Sequence, residues 1–173
     1  MFRNIPRRLK ILCILTLINT GIATFGGIVS LISGPPEEKE IRLENNEMKK
    51  FIAQMKNLGS SDETIDLIEK FQLITNAIYD NFYFYTSISA ILALLGLLSA
   101  FFMLRRNIYG FHLYIVYSLL SSASLYLIVS PEELPTAVII VNLFISGLFI
   151  YLYSRSLTWL KNEFNDEIKN NEY

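Results

Sequence analysis

Residues 81–104 read NFYFYTSISAILALLGLLSAFFML, with no Asp, Glu, Lys or Arg among them. The hydrocarbon core of a bilayer is about 30 Å thick, and an α-helix rising about 1.5 Å per residue crosses it in roughly 20 residues. This stretch is long enough to span, and it carries no charge that would resist burial in lipid. Three more stretches share the property: 11–32, 107–131 and 134–154. Every formal charge of the chain lies outside these four segments. A soluble domain spreads its apolar residues in amphipathic patterns, whereas here the 52% that are hydrophobic are clumped. The fold class read from this is all-α, a four-helix transmembrane bundle. It forms a single membrane domain over 1–173, with spans at about 9–32, 81–104, 109–130 and 134–154.

Working outward from the second span, residues 33–80 form a polar insert with ten acidic and six basic residues. Pro35 and Pro36 stop the first span, because proline lacks an N–H and clashes with the preceding turn. Glu37, Glu38 and Glu40 come next, and carboxylates suit the positive end of a helix dipole. Ile41, Met48 and Met55, with Phe51 and Leu58 offset, recur at helical spacing, and Gly59 then fits a left-handed helix end. Ser60-Ser61-Asp62-Glu63 reads as a capping box with Ser60 as the cap. Leu67, Phe71, Ile74 and Ile78 mark one face of a second helix. The insert is thus read as an extracytoplasmic helical hairpin between spans one and two. No proline separates it from the second span, so one long helix is expected over 62–104.

On the other side, Arg105-Arg106-Asn107 and Pro131-Glu132-Glu133-Leu134-Pro135 are short connections, so spans two, three and four should lie antiparallel as neighbours. The tail, 155–173, has Leu157, Leu160, Phe164 and Ile168 at helical spacing, with Trp159 close to the membrane. It is expected to lie along the interface and to fray at 170–173. The first apolar run is too long for the h-region of a secretory signal, about 7–15 residues, and no small-residue cleavage site follows it, so it reads as a retained helix.

Four spans place both termini on one side. That side carries Arg3, Arg7, Arg8, Lys10, Arg105, Arg106, Arg155, Lys161 and Lys169, whereas the turn at 131–135 has no cation. Positive residues near span ends stay in the cytoplasm. Both termini are therefore expected inside and the insert outside. Tyr79, Phe82, Tyr83 and Tyr85 would form an outer aromatic belt, and Tyr109, Tyr151, Tyr153 and Trp159 an inner one.

Candidate functional residues are few. Asn19 and Asn142 lie mid-span, where an amide seeks a partner on another helix, and they are read as interhelical polar contacts that would clamp span one to span four. Small residues recur four apart at Ala23/Gly27, Gly26/Ser30, Ser89/Ala93, Gly96/Ala100, Ser118/Ser122 and Asn142/Ser146. They fit close helix packing within the chain, with a homo-oligomer as the other reading. His112, the sole histidine, has no second ligand for a metal site and is kept as a functional candidate only through its titration range. Cys13 has no partner and reads as a small buried hydrophobe. No Asp, Glu, Lys or Arg sits inside the four apolar runs, which lowers the case for proton relays and ion coupling. No catalytic, metal or nucleotide motif is present, so no cofactor is expected, and the formal net charge of −1 gives no reason to expect nucleic acid.

The run GFHLYIVYSLL at 110–120, the turn Val129-Ser130-Pro131 and SGLFIYLYSR at 146–155 resemble a group of small uncharacterised bacterial four-span inner-membrane proteins with no known activity. The resemblance covers most of the chain. It implies topology and a bacterial inner (plasma) membrane, with no activity attached.

Two functions stay in view. The leading expectation is a non-enzymatic membrane protein, an accessory or interaction subunit that meets a protein partner through residues 37–80. The alternative is a small oligomeric transporter or channel for a small solute or lipid, with Asn19, Asn142 and neighbouring hydroxyls lining a path. The alternative requires a polar cavity among the helices.

Overall fold

The structure is a computed structural model that describes residues 5–162. Arg3, Phe164, Ile168, Lys169 and the segment 170–173 lie outside the described residues. The described chain is helical, in the order α1 (Arg7–Ser33), α2 (Glu38–Asn57), α3 (Asp62–Asp80), α4 (Phe82–Leu104), α5 (Tyr109–Ala123) and α6 (Thr136–Ser154), with a 3-10 turn at Ser124–Leu127 after α5. Four helices are long and apolar enough to cross a membrane: Arg7–Ser33, Phe82–Leu104, Tyr109–Leu127 and Thr136–Ser154. The third ends in the tighter 3-10 turn three residues short of the expected 130.

Local chemistry sets the helix ends. α1 stops where Gly34 takes φ 80° and its N–H bonds the Ser30 carbonyl at 2.9 Å. α2 opens with a reciprocal cap in which Glu37 and Glu40 satisfy each other's backbone N–H groups. Gly59, at φ 76°, turns the chain after α2, a left-handed conformation that glycine adopts without a Cβ clash. The cap of α3 is Ser61 rather than the expected Ser60. The Ser61 hydroxyl accepts from the Thr64 N–H at 3.3 Å, whereas the Ser60 hydroxyl turns back to the Met55 sulfur. The single helix expected over 62–104 is broken at Asn81, whose backbone leaves the helical region (φ −112°, ψ 29°). Its side-chain amide bonds the Ala77 carbonyl at 3.0 Å, so it competes with the backbone ladder at the point where the helix ends.

Packing runs in one sequence: α1 against α4, α4 against α5, α5 against α6. Contacting residues count up on one helix as they count down on the next, so each neighbouring pair is antiparallel. Gly21 faces Leu97 and Gly27 faces Ala90; Gly96 faces Tyr117 and Gly110 faces Met103. The start of α1, the end of α4, the start of α5 and the end of α6 therefore share one end of the molecule. Little hydrophobic drive exists between helices in lipid, so close approach carries the packing. At Gly110 a Cβ would lie 2.6 Å from the Ser99 oxygen and the Met103 nitrogen. At Gly96 it would meet Thr20 of α1 at 2.7 Å and Tyr117 of α5 at 2.9 Å. Gly26, also in a small-residue pair, meets nothing within 4 Å, and neither does Gly147.

At the terminus-bearing end, Ile5, Leu9, Cys13, Ala100, Met103, Phe111, Tyr114, Tyr153 and Leu160 form one buried cluster. This revises two expectations. Tyr153 is fully buried rather than part of an aromatic belt, and Leu160, which was expected to lie along the interface, is fully buried against the helices. Residues 157–162 are helical, with Leu160 inside this cluster and Leu157 and Trp159 packed against it. At the other end, α2 and α3 run in opposite directions along three contacts: Lys56 to Glu69 at 3.3 Å, Gln72 to Asn45 at 2.9 Å and Tyr79 to Glu44 at 3.0 Å. Ile74 of α3 packs on Val129 and Leu134, which seats the pair on the α5–α6 connection.

Candidate functional site

α1 packs on α4, and α6 packs on α5, but α1 and α6 meet over only a short length. The Thr16 and Tyr153 hydroxyls close that meeting at 2.7 Å, deep in the terminus-bearing half. The Tyr153 ring also lies against Tyr114, with centroids 4.5 Å apart, which fixes where its hydroxyl points. Above this latch α1 and α6 part and leave a groove of about 370 Å³ floored by α5.

The polar lining divides into satisfied and unsatisfied groups. Thr16 is satisfied by Tyr153, and Thr20 and Thr24, outside the lining, return their hydroxyls to the carbonyls four residues back, each at 2.7 Å. On the α5–α6 side, Ser122 lies 2.8 Å from the Ser146 hydroxyl, 3.3 Å from the Asn142 oxygen and 2.9 Å from the Ser118 carbonyl. A serine hydroxyl has one proton and donates to one of these acceptors at a time, so Ser146 donates when Ser122 is bonded to Ser118. This cluster ties α5 to α6 through the Ser118/Ser122 and Asn142/Ser146 pairs.

Asn19 behaves differently. It lies at the depth of Asn142, twelve residues from Arg7 as Asn142 is from Ser154, and both line the groove. The two amides do not bond each other among the described residues; Asn142 meets Ser122 on α5 instead, and the Asn19 amide faces open space. The phenols of Tyr114 and Tyr117 and the Ser121 hydroxyl join Asn19 along the same groove, without a hydrogen bond to the described protein. No buried polar side-chain atom among the described residues lacks a partner, so the Tyr114 and Tyr117 hydroxyls open onto the groove rather than into a dry interior. The tyrosines were the part of the site that the sequence did not mark. Their signal, Tyr114 and Tyr117 three apart on the α5 face that also bears Ser118 and Ser121, is present but reads equally as packing.

His112 sits away from the groove. It is exposed near the start of α5, its Nδ1 is 3.2 Å from the Ile108 carbonyl, and its ring meets Phe111 edge-on. Cys13 is buried in the terminus-end cluster. Among the described residues no three His, Cys, Asp or Glu side chains gather in a metal-binding group. Outside the spans, the Tyr79 phenol is held above its ordinary pKa, first by partial burial and then by its bond to the Glu44 carboxylate.

No family model, curated protein or solved structure matches the chain.

Proposed function

We propose that this is a non-enzymatic integral membrane protein of the bacterial inner membrane, whose groove between α1, α5 and α6 binds a neutral, hydrogen-bonding molecule dissolved in the bilayer. The observation that carries the reading is the set of polar groups, Asn19, Tyr114, Tyr117 and Ser121, that face one groove without a hydrogen-bond partner among the described residues. A polar group left unpaired in hydrocarbon costs several kcal/mol, so this arrangement is stable only when the groove holds water or a polar ligand. No ionisable acid or base other than the tyrosines lines it, which selects neutral amide, hydroxyl or ester groups over ions. The Thr16–Tyr153 latch closes one end, so a single chain forms a binding groove open to the side rather than a through channel. In this reading the helices form a four-helix bundle with both termini in the cytoplasm, and α2 and α3 form an outer hairpin. The excess of Arg and Lys at the terminus-bearing end supports that orientation.

A photoreactive diacylglycerol in phosphatidylcholine vesicles containing the protein tests the groove. Labelling is expected on 15–19 and 142–149, and a variant with Asn19→Leu and Asn142→Leu should lose most of it. Labelling spread evenly over the lipid-facing helices would remove the reading and leave a groove filled by water.

A second reading keeps the outer hairpin as a contact for a protein partner. It is supported by Leu43 and Phe51, exposed on one face of α2, and by exposed Leu58 at its C-terminal end. Phe51→Glu should then abolish co-purification of a partner with the intact chain. Unchanged co-purification would count against it.

A further inference from the structure

At the terminus-bearing end, the α1–α6 seam opens again into a pocket of about 740 Å³. Arg7, Arg8 and Arg155 line its mouth beside Ser156 and Trp159, and Ile11, Leu12 and Leu152 form its walls. Arg7 and Arg8 open α1 and Arg155 caps the end of α6, and the fold brings these distant parts of the sequence to one opening. All three are exposed, and none is paired with a carboxylate among the described residues. Three ion pairs, Arg42–Glu38, Lys56–Glu69 and Lys70–Asp66, lie in α2 and α3.

We propose that this pocket binds the headgroup phosphate of an anionic phospholipid, with an acyl chain lying along the α1–α6 seam. Guanidinium groups pair phosphate oxygens bidentately, and three of them at one opening suit a phosphate better than a zwitterionic headgroup, whose own cation they repel. Basic pockets between membrane helices recognise acidic lipid headgroups by this chemistry. The apolar walls distinguish a lipid from free phosphate. Ile11 and Leu15 on α1 lie four residues apart, and Phe149 and Leu152 on α6 three apart, so an apolar strip leads from the arginines into the bilayer. Trp159 at the rim sits where an indole favours the headgroup level. The headgroup pocket shares no lining residue with the groove, so the arginine variants test it separately from the groove ligand.

Trp159 is the only tryptophan of the chain, so its fluorescence reports this pocket alone. The protein is reconstituted in phosphatidylcholine vesicles containing a small fraction of phosphatidylglycerol, with the bromine-labelled acyl chains placed on one lipid or the other. Brominated phosphatidylglycerol should quench Trp159 more strongly than the same fraction of brominated phosphatidylcholine. At about fivefold per arginine near an anionic headgroup, Arg7→Gln, Arg8→Gln and Arg155→Gln together should weaken the preference on the order of a hundredfold. Arg105→Gln removes a charge at the same end, outside the pocket, where Arg105 stacks over Phe101 at 4.4 Å. It should leave the preference intact. Equal quenching by the two lipids in the unaltered protein overturns the proposal without relying on any variant. So does an equal loss in Arg105→Gln, which would mean general surface charge. Displacement of the lipid by millimolar inorganic phosphate would overturn the lipid assignment in favour of a soluble anion.

Discussion

α1 has two seams, and they are built on opposite rules. Against α4 it approaches until Gly27 touches Ala90, where a Cβ would lie 2.9 Å from the alanine methyl, and until Thr20 touches Gly96. Against α6 it meets Tyr153 near Cys13 and Thr16, and then parts to leave the groove and the arginine pocket. The neighbours follow suit: 39% of the most apolar window of α4 is buried, against 6% of that of α6. Helices in lipid close on one another where small residues allow dispersion contacts between backbones, and they stay apart where side chains are bulky. The outward residues of α6, such as Ile140, Phe144 and Tyr151, are large and exposed. One seam is thus a structural joint, and the other is where this protein has room for a ligand.

The sharpest test of the closed side is Gly110→Leu. Its Cβ would meet backbone atoms of α4, which cannot swing aside as a side chain can. A loss of about 3 kcal/mol or more is expected in reversible unfolding in detergent. Stability within experimental error of the unaltered protein would show that the α4–α5 contact is looser than described. Next in size, Gly27→Leu should cost about 1–3 kcal/mol, whereas Gly26→Ala and Gly147→Ala, which meet open space, should change stability by less than about 0.5 kcal/mol. Equal effects at Gly27 and Gly26 would erase the distinction between joint and surface.

On the open side, Tyr153→Phe removes the bond to Thr16 while it keeps the ring on Tyr114. A loss of about 0.6–1.7 kcal/mol is expected. Spin labels at exposed Ile22 and Ile140, in a chain with Cys13→Ala, should report a broader distance distribution across the seam. An unchanged distribution would mean that the latch does not hold α1 to α6.

The smallest effects belong to the α2–α3 pair, away from both seams. Lys56→Gln breaks an exposed ion pair with Glu69 and should cost about 0.2–1 kcal/mol, less in high salt. Tyr79 supplies a pH test. Its folded-state pKa is raised, so its contribution is fully present below the ordinary tyrosine value and is lost as pH rises through the folded value, where the phenolate can no longer donate to Glu44. Absorbance titration of the protein against Tyr79→Phe should show one tyrosine titrating later than an exposed one. A difference spectrum at the ordinary tyrosine pH would contradict the bond.

Much of the fold could be read locally. An uncharged run either has about 20 residues or it does not, and glycine at 34 and 59 ends helices for reasons confined to a few bonds. Where local signals competed, the reading slipped. Ser60 and Ser61 offer nearly the same cap, and only the Ser60 contact with Met55 separates them. Asn81 carries no proline-like signal, yet its amide breaks the helix that the apolar pattern continues. The stripes of small residues looked alike in sequence, although Gly96 is wedged between two helices and Gly26 faces nothing.

The sequence by itself determined the number of apolar helices, their lengths and most of their ends, because helix hydrogen bonds join residues four apart and spanning depends on an unbroken run. Which faces meet was decided only by the tertiary structure. It matched Asn142 to Ser122 and not to Asn19, turned Tyr153 and Leu160 inward, and gathered Arg7, Arg8 and Arg155 around one pocket. Such contacts depend on how far each pair of helices can approach along its whole length. That distance is set by side chains on both partners, and no window of a single helix contains it.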